Sequence, residues 1–168
     1  GRPGFPTLIA RVGQMWREAR AGIGDQATKS AEFLRGNAEA QLQGDPSALS
    51  WDAFEEQCGS EFDSRFGGFG SAPKFPPHQA LLVLLRQGHE DAESRARFMA
   101  TTTLDAMAAG GIYDHVGGGF ARYSTDREWL VPHFEKMLYD NAQLARAYTE
   151  AFQVTGRSDY RRVARETL

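Results

Sequence analysis

Apolar residues recur at helical spacing along most of the chain, and the breaks between these stripes fall at glycine and proline. Leu8, Val12, Met15, Trp16, Ala19 and Ile23 mark one face of an amphipathic helix beginning near Pro6, which Ala27, Ala31 and Leu34 extend towards Leu42. A turn at Gly44-Asp45-Pro46 ends it, and Ser47 is placed to cap a helix over about Ala48 to Phe62. The stretch FGGFGSAPKFPP is too rich in Gly and Pro for regular structure. A short apolar helix follows, from Pro77 or His78 through Leu85. Ala96, Met99, Ala100, Leu104 and Met107 form the inner stripe of a helix over about Asp91 to Ala109. Phe134, Met137, Leu144, Tyr148 and Phe152 do the same from about His133 to Val154; Gly156 then interrupts, and a last helix starts near Ser158. One β-hairpin is expected, with Phe120, Ala121, Arg122 and Tyr123 in one strand and Trp129 to Val131 in the other. A polar turn from Ser124 to Glu128 joins them.

Short turns alternating with long Gly/Pro-rich loops predict an all-α chain of stacked α/α hairpins, because an ordinary bundle keeps its connections brief throughout. Loops this rich in His, Asp, Tyr and Trp are where a rigid helical scaffold carries function. The apolar pattern of Val163, Ala164 and Leu168 reaches the last residue without a cap, and GRPGF reads as the middle of a chain. A longer parent is therefore expected at both ends.

Composition narrows the function classes. With 19 basic and 22 acidic residues among 168, the net charge is −3 and no basic block tracks a phosphate backbone, so nucleic acid is not an expected partner. The longest apolar run, Ala80 to Leu85, is too short for a bilayer, and the N-terminal residues lack the pattern of a signal peptide, so a cytoplasmic protein without a membrane partner is expected. Cys58 is the single cysteine, which excludes an intrachain disulfide, a CxxC pair and a cysteine zinc cluster within this chain. It reads as an apolar filler among Phe54, Gln57 and Phe62.

Three loop constellations carry the candidate chemistry. In GGIYDHVGGGF, glycines flank Asp114 and His115; a neutral His beside a carboxylate serves as acid or base near neutral pH, while the plain alternative has Asp114 capping a turn and His115 bonding a carbonyl. In WLVPHFEKMLYDN, Pro132 suits a first helical turn, which would set His133, Glu135 and Lys136 at the positive end of a helix dipole. On that helix Lys136 would pair with Asp140 and Glu135 with Tyr139, and Asn141 would fall on the apolar stripe and need hydrogen-bond partners. In GGFGSAPKFP, the missing GKS/T and the two prolines argue against a phosphate cradle. Lys74 is then either a charge for a ligand or half of a buried ion pair. His115, His133 and Glu135 do not match a zinc-binding spacing, so no metal and no cofactor are expected.

Taken together, GGFGSAPKFP, GGIYDHVGGGFARYSTDREWLVPHFEKMLYDNAQL and GRPGFPTLIARVGQMW resemble the thioredoxin-domain-containing protein family with spermatogenesis-associated and uncharacterised bacterial members. The resemblance covers nearly the whole chain. It implies that a thioredoxin-like domain precedes an (α/α)6 toroid of the six-hairpin glycosidase type, similar in fold to N-acylglucosamine 2-epimerases. Residues 1–44 would then be the exit from the thioredoxin-like domain and its connecting helix, and residues 45–168 the opening hairpins of an incomplete toroid. The thioredoxin CxxC is absent here, so the resemblance carries no redox activity to this chain.

Two function classes follow. In a carbohydrate-active domain, Phe69, Tyr123 and Trp129 offer stacking faces, and Lys74, Arg122, Asp126, Asp140 and Asn141 offer polar contacts to sugar hydroxyls. Epimerisation would use His115 and His133 as opposed bases; hydrolysis would use a carboxylate pair drawn from Asp114, Asp126 and Glu135. In a non-catalytic scaffold, the same polar groups satisfy one another and the partner is the chain's own thioredoxin-like domain or another ligand. Association with a second copy is a further way to bury open helix faces.

Overall fold

The computed structural model describes residues 3–42 and 50–168, which divide into two compact units, residues 1–49 and residues 50–168. The turn at Gly44-Asp45-Pro46 and Ser47 lie outside the described residues.

In the first unit, α1 (Phe5–Glu18) starts with proline in its first turn, as the missing amide of Pro6 allows. Ala19 leaves helical geometry (φ −135°, ψ 33°) and α2 (Arg20–Leu42) resumes at once. The expected continuous helix is thus two. Its apolar face, with Leu8, Val12, Met15 and Trp16, is about half exposed, and α1 contains no buried residue. Amphipathic spacing forecast a helix here, and the packing of its face is not supplied within this unit.

The second unit holds every buried core residue among those described. Its helices are α3 (Trp51–Glu61), α4 (His78–Gln87), α5 (Arg95–Ala109), α6 (Leu138–Thr155) and α7 (Ser158–Thr167). The start of α3 is set by Ser50, not Ser47: its hydroxyl oxygen accepts from the Ala53 amide at 3.0 Å, so the helix begins three residues later than the sequence reading placed it. Ser94 caps α5 in the same way, leaving Asp91 in the preceding turn. The stripe Ala96, Met99, Ala100, Leu104 and Met107 is fully buried, and it packs with Leu81, Leu84 and Leu85 of α4 and Leu144, Tyr148 and Ala151 of α6. Each Leu or Met side chain among them contributes about 1.5–3 kcal/mol on leaving water. Cys58 packs half-buried against this core, where burial pushes its thiol upward, as suits a filler.

Helix direction alternates. The first turns of α4 and α6 meet at His78 and Asp140, and their later turns meet through Arg86 and Glu150, so these two neighbours run the same way. Arg97 near the start of α5 donates to the Val154 carbonyl near the end of α6, so α5 runs the other way. The short connections lie at one end of this unit and the two long loops, 62–77 and 110–137, at the other.

A two-stranded antiparallel hairpin closes the second long loop, as expected, but each strand begins three residues later and the first shares only Tyr123 with the expected one. β1 is Tyr123–Ser124 and β2 is Pro132–His133, with Tyr123 opposite His133 and Ser124 opposite Pro132. This corrects the start of the following helix. His133, Glu135 and Lys136 are not on a helix, because Pro132 and His133 are drawn into the strand pair and the Arg122 amide donates to the Glu135 carbonyl at 2.6 Å. Helix α6 starts only at Leu138, after Met137 in extended geometry, and Phe134 stands 94% exposed instead of on an inner stripe. Gly156, at φ 72°, ends α6 as expected.

Candidate functional site

Both long loops are built on one motif. Asp63 and Asp114 are each followed four, five and six positions later by Gly, Gly and Phe. In the first loop the Asp63 amide donates to the Gly68 carbonyl at 2.9 Å and the Gly67 amide to the Asp63 carbonyl at 2.8 Å; in the second, Asp114 and Gly119, then Gly118 and Asp114, repeat both bonds at 2.9 Å. The Asp63 Oδ1 accepts from the amides of Arg65 and Phe66, and the Asp114 Oδ1 from those of Val116 and Gly117. Phe62 bridges to Phe69 and Tyr113 to Phe120. The paired glycines have φ between 68° and 79°, a region that a side chain strains to enter. Each loop is latched by a lysine. Lys74 Nζ donates to Asp63 Oδ2 at 2.7 Å and the Gly67 carbonyl at 2.6 Å; Lys136 Nζ donates to Asp114 Oδ2 at 2.6 Å and the Gly118 carbonyl at 2.7 Å.

The copies differ in what lies over them. The first is sealed. Lys74 and Asp63 side chains are 0% and 1% exposed, and Arg127 adds a two-point grip, Nε to Oδ2 at 2.6 Å and Nη2 to Oδ1 at 3.0 Å. Burial acts to raise the Asp63 carboxyl, but the Arg127 and Lys74 hydrogen bonds and the two amides outweigh it and hold the group well below the usual carboxylate range. Arg127 belongs to the loop between β1 and β2, which Asp126 organises by accepting from the amides of Glu128, Leu130 and Val131 and from the Ser124 hydroxyl. Trp129, in the same loop, adopts φ 64° with its ring fully buried, and its Nε1 donates to the Phe66 carbonyl at 2.9 Å. It also lies beneath the Lys74 ammonium, 5.5 Å from the ring centre.

The second copy is open. Asp114 and Lys136 are 36% and 44% exposed, and both line a cavity of about 370 Å³ with His115, Ile112, Pro132 and Phe134. The amide of Gly117 lowers the Asp114 carboxyl most, followed by Lys136 and the Val116 amide, so this group too stays ionised below the usual range. His115 Nε2 lies 2.9 Å from the Gly110 carbonyl and therefore carries the proton there. Tyr113 donates to Glu166 of α7, and burial followed by that carboxylate pushes the phenol up to about 12. Asn141 clamps the backbone of Phe120: its Oδ1 accepts from that residue's amide at 2.7 Å, and its Nδ2 donates to that residue's carbonyl and to Met137.

The residues singled out in the sequence are therefore brought together in three groups. Asp114 and His115 share the open cavity. Lys74, Trp129 and Asp126 belong to the sealed copy or the loop above it, and Phe69 packs nearby on Phe62 at 5.9 Å. His133, Glu135, Arg122 and Tyr123 form a rim on the hairpin, with Asp140 buried behind it in the first turn of α6. There Phe75, Tyr123 and His133 stack in series, with ring centres 4.7 and 4.8 Å apart and planes within 30°. Arg122 pairs with Glu135 at 3.2 Å, and Asp140 with His78 at 3.2 Å. The expected Lys136–Asp140 and Glu135–Tyr139 pairs are replaced by these, because no helix spaces the partners one turn apart. His115 and His133 lie in different groups, so they are not opposed bases across one cavity. Asp63, Arg127, His78 and the role of Lys136 escaped the sequence reading; the spacing Asp-x-x-x-Gly-Gly-Phe, present twice, was the signal for the first and last.

Fold and loops define the class: a mostly helical chain whose hairpins carry repeated Asp/Gly-Gly/Lys loops and one small antiparallel hairpin. Among known proteins, the chain is similar to spermatogenesis-associated protein 20 of Homo sapiens, 42% identical over 175 aligned positions that cover 99% of this chain and 22% of that protein. The mouse protein of the same name is 40% identical with the same coverage, and an uncharacterized protein of Caenorhabditis elegans is 37% identical over 94% of this chain and 22% of its own length. The chain thus spans about a fifth of the length of the curated relatives it matches. No family profile matches it. Among the described residues, no helix is long and apolar enough to cross a membrane.

Proposed function

We propose that this chain is the opening part of a cytoplasmic carbohydrate-binding toroid, carried in its parent after a thioredoxin-like domain, and that the ligand seats on the hairpin rim. The observation that carries the reading is the three-ring stack of Phe75, Tyr123 and His133 beside the Arg122–Glu135 pair. Sugars present flat apolar faces ringed by hydroxyls, so they bind where an aromatic face adjoins charged hydrogen-bonding groups. Phe75 and His133, at the two ends of the stack, are both exposed. The same-direction packing of α4 and α6, with α5 running opposite, supports hairpins arranged as in a toroid. Residues 1–44 are the connecting segment on this reading, and residues 45–168 the first hairpins.

Within this rim, catalysis falls to His133 and Glu135, whose imidazole and carboxylate serve proton transfer at a sugar carbonyl or glycosidic oxygen. Asp114 and His115 support the second loop instead. A non-catalytic scaffold is the competing reading, favoured by the full internal pairing of Lys74 and Asn141.

The test is calorimetric titration of this chain and its full-length parent with N-acyl sugars and disaccharides, alongside His133→Ala and Tyr123→Ala variants. Binding is expected for wild type and weakened at least about tenfold without the Tyr123 ring. Silence of the wild-type proteins across the panel overturns the carbohydrate reading and leaves the scaffold. Product formation by the parent, lost in His133→Ala while binding persists, supports the catalytic role.

A further inference from the structure

The two loop motifs make one carboxylate the internal control for the other. Asp63 and Asp114 close equivalent turns and each is bound by a lysine, Lys74 or Lys136, that also donates to the matching glycine carbonyl, with bond lengths agreeing within 0.1 Å. At Asp63 the outer edge of the carboxylate is taken by a guanidinium in two-point contact. At Asp114 no guanidinium among the described residues takes that edge; Arg162 of α7, which lines a second cavity with Asp114, donates instead to Glu166 at 2.7 Å. Asp114 lines the first cavity with Lys136, His115 and Tyr113, and the rest of its side-chain lining, Ile112, Ala121, Pro132 and Phe134, is apolar.

We infer that Asp114 is the anchor of a guanidinium-binding site, filled in the second loop by a ligand group as Arg127 fills the first. A carboxylate fixed by two amides and a lysine is already oriented, so a planar guanidinium gains two parallel hydrogen bonds without ordering the acceptor. An ammonium has no such fork and makes a single contact there. The apolar part of the lining suits the methylene stem that follows a guanidinium, and in the first loop the Arg127 guanidinium itself lies over the Phe66 ring, 5.5 Å from its centre. His115 keeps its Nε2 proton on Gly110 and so does not compete for the carboxylate. This site uses no residue of the sugar rim, so the two proposals stand or fall separately.

The experiment is a nuclear magnetic resonance titration of the whole chain, reading the amides of Val116 and Gly117. Three probes are used: methylguanidinium, methylammonium at matched ionic strength, and a short peptide with one central arginine. Saturable shifts at these two amides with methylguanidinium, at least about tenfold tighter than with methylammonium, are expected. Their loss in Asp114→Asn, with the rest of the spectrum unchanged, confirms the anchor. If Asp114→Asn loses its dispersed spectrum, the wild-type comparison of the two cations decides. Tighter binding of the peptide assigns the ligand to a polypeptide arginine, and equal binding to a small guanidinium compound. Absence of saturable shifts, or equal response to both cations, overturns the inference.

Discussion

Lys74 and Lys136 show how one hydrogen-bond pattern takes its weight from its surroundings. Replacing Asp63 by Asn leaves the Lys74 ammonium in a site with no access to water, and breaking such a buried pair costs about 3–5 kcal/mol. Urea denaturation should register that loss in Asp63→Asn, whereas Asp114→Asn, at an exposed pair, should shift the midpoint far less. The pH dependence has a fixed sign. A carboxyl held below its unfolded value contributes stability that is complete above roughly pH 5 and fades as pH falls from about 4 towards the folded value. Acid unfolding of the wild type should therefore steepen below about pH 4, and Asp63→Asn should flatten that limb.

At the scale of elements, the loop from β1 to β2 is the part most exposed to test. Trp129 accepts a strained positive φ because its ring fills the space over Gly68 and its indole reaches the Phe66 carbonyl. Trp129→Ala should lose about 3–5 kcal/mol, read from thermal or urea unfolding. A methyl group on Gly118 would sit 1.8 Å from the Glu166 carbonyl oxygen, so Gly118→Ala should displace α7 and broaden the resonances of Tyr160 and Val163; Gly70→Ala, which meets only open space, is the control for backbone strain alone. What the sequence made legible divides along the same line. The buried stripe of α5 was readable because one residue in three or four faces the core wherever a helix lies on it. The start of α6 was not. Pro132 fits a helix entry and a strand edge equally well, and Ser124, paired with it across the chain, and Tyr123, paired with His133, decided between them. For the site, the doubled Asp/Gly-Gly/Phe spacing was visible in the letters. Arg127 on Asp63, 64 residues apart, depends on how two loops meet and leaves no local mark.

For the molecule as a whole, the buried core lies entirely between Asp63 and Ala164 among the described residues, while α1 keeps Leu8, Val12, Met15 and Trp16 about half exposed. Residues 50–168 should thus fold without the first unit. A chain trimmed to that span is expected to keep the melting transition followed by Trp129 emission, and a molten spectrum would contradict it.

Arg127 and Trp129 also set an order of events during synthesis. The first loop needs both to shield its lysine and aspartate, and they are made more than fifty residues after it, on the far side of α4 and α5. A nascent chain released before residue 131 would carry an ion pair still open to water and a glycine loop without its roof. The first helical hairpin is thus completed only by residues of the second long loop.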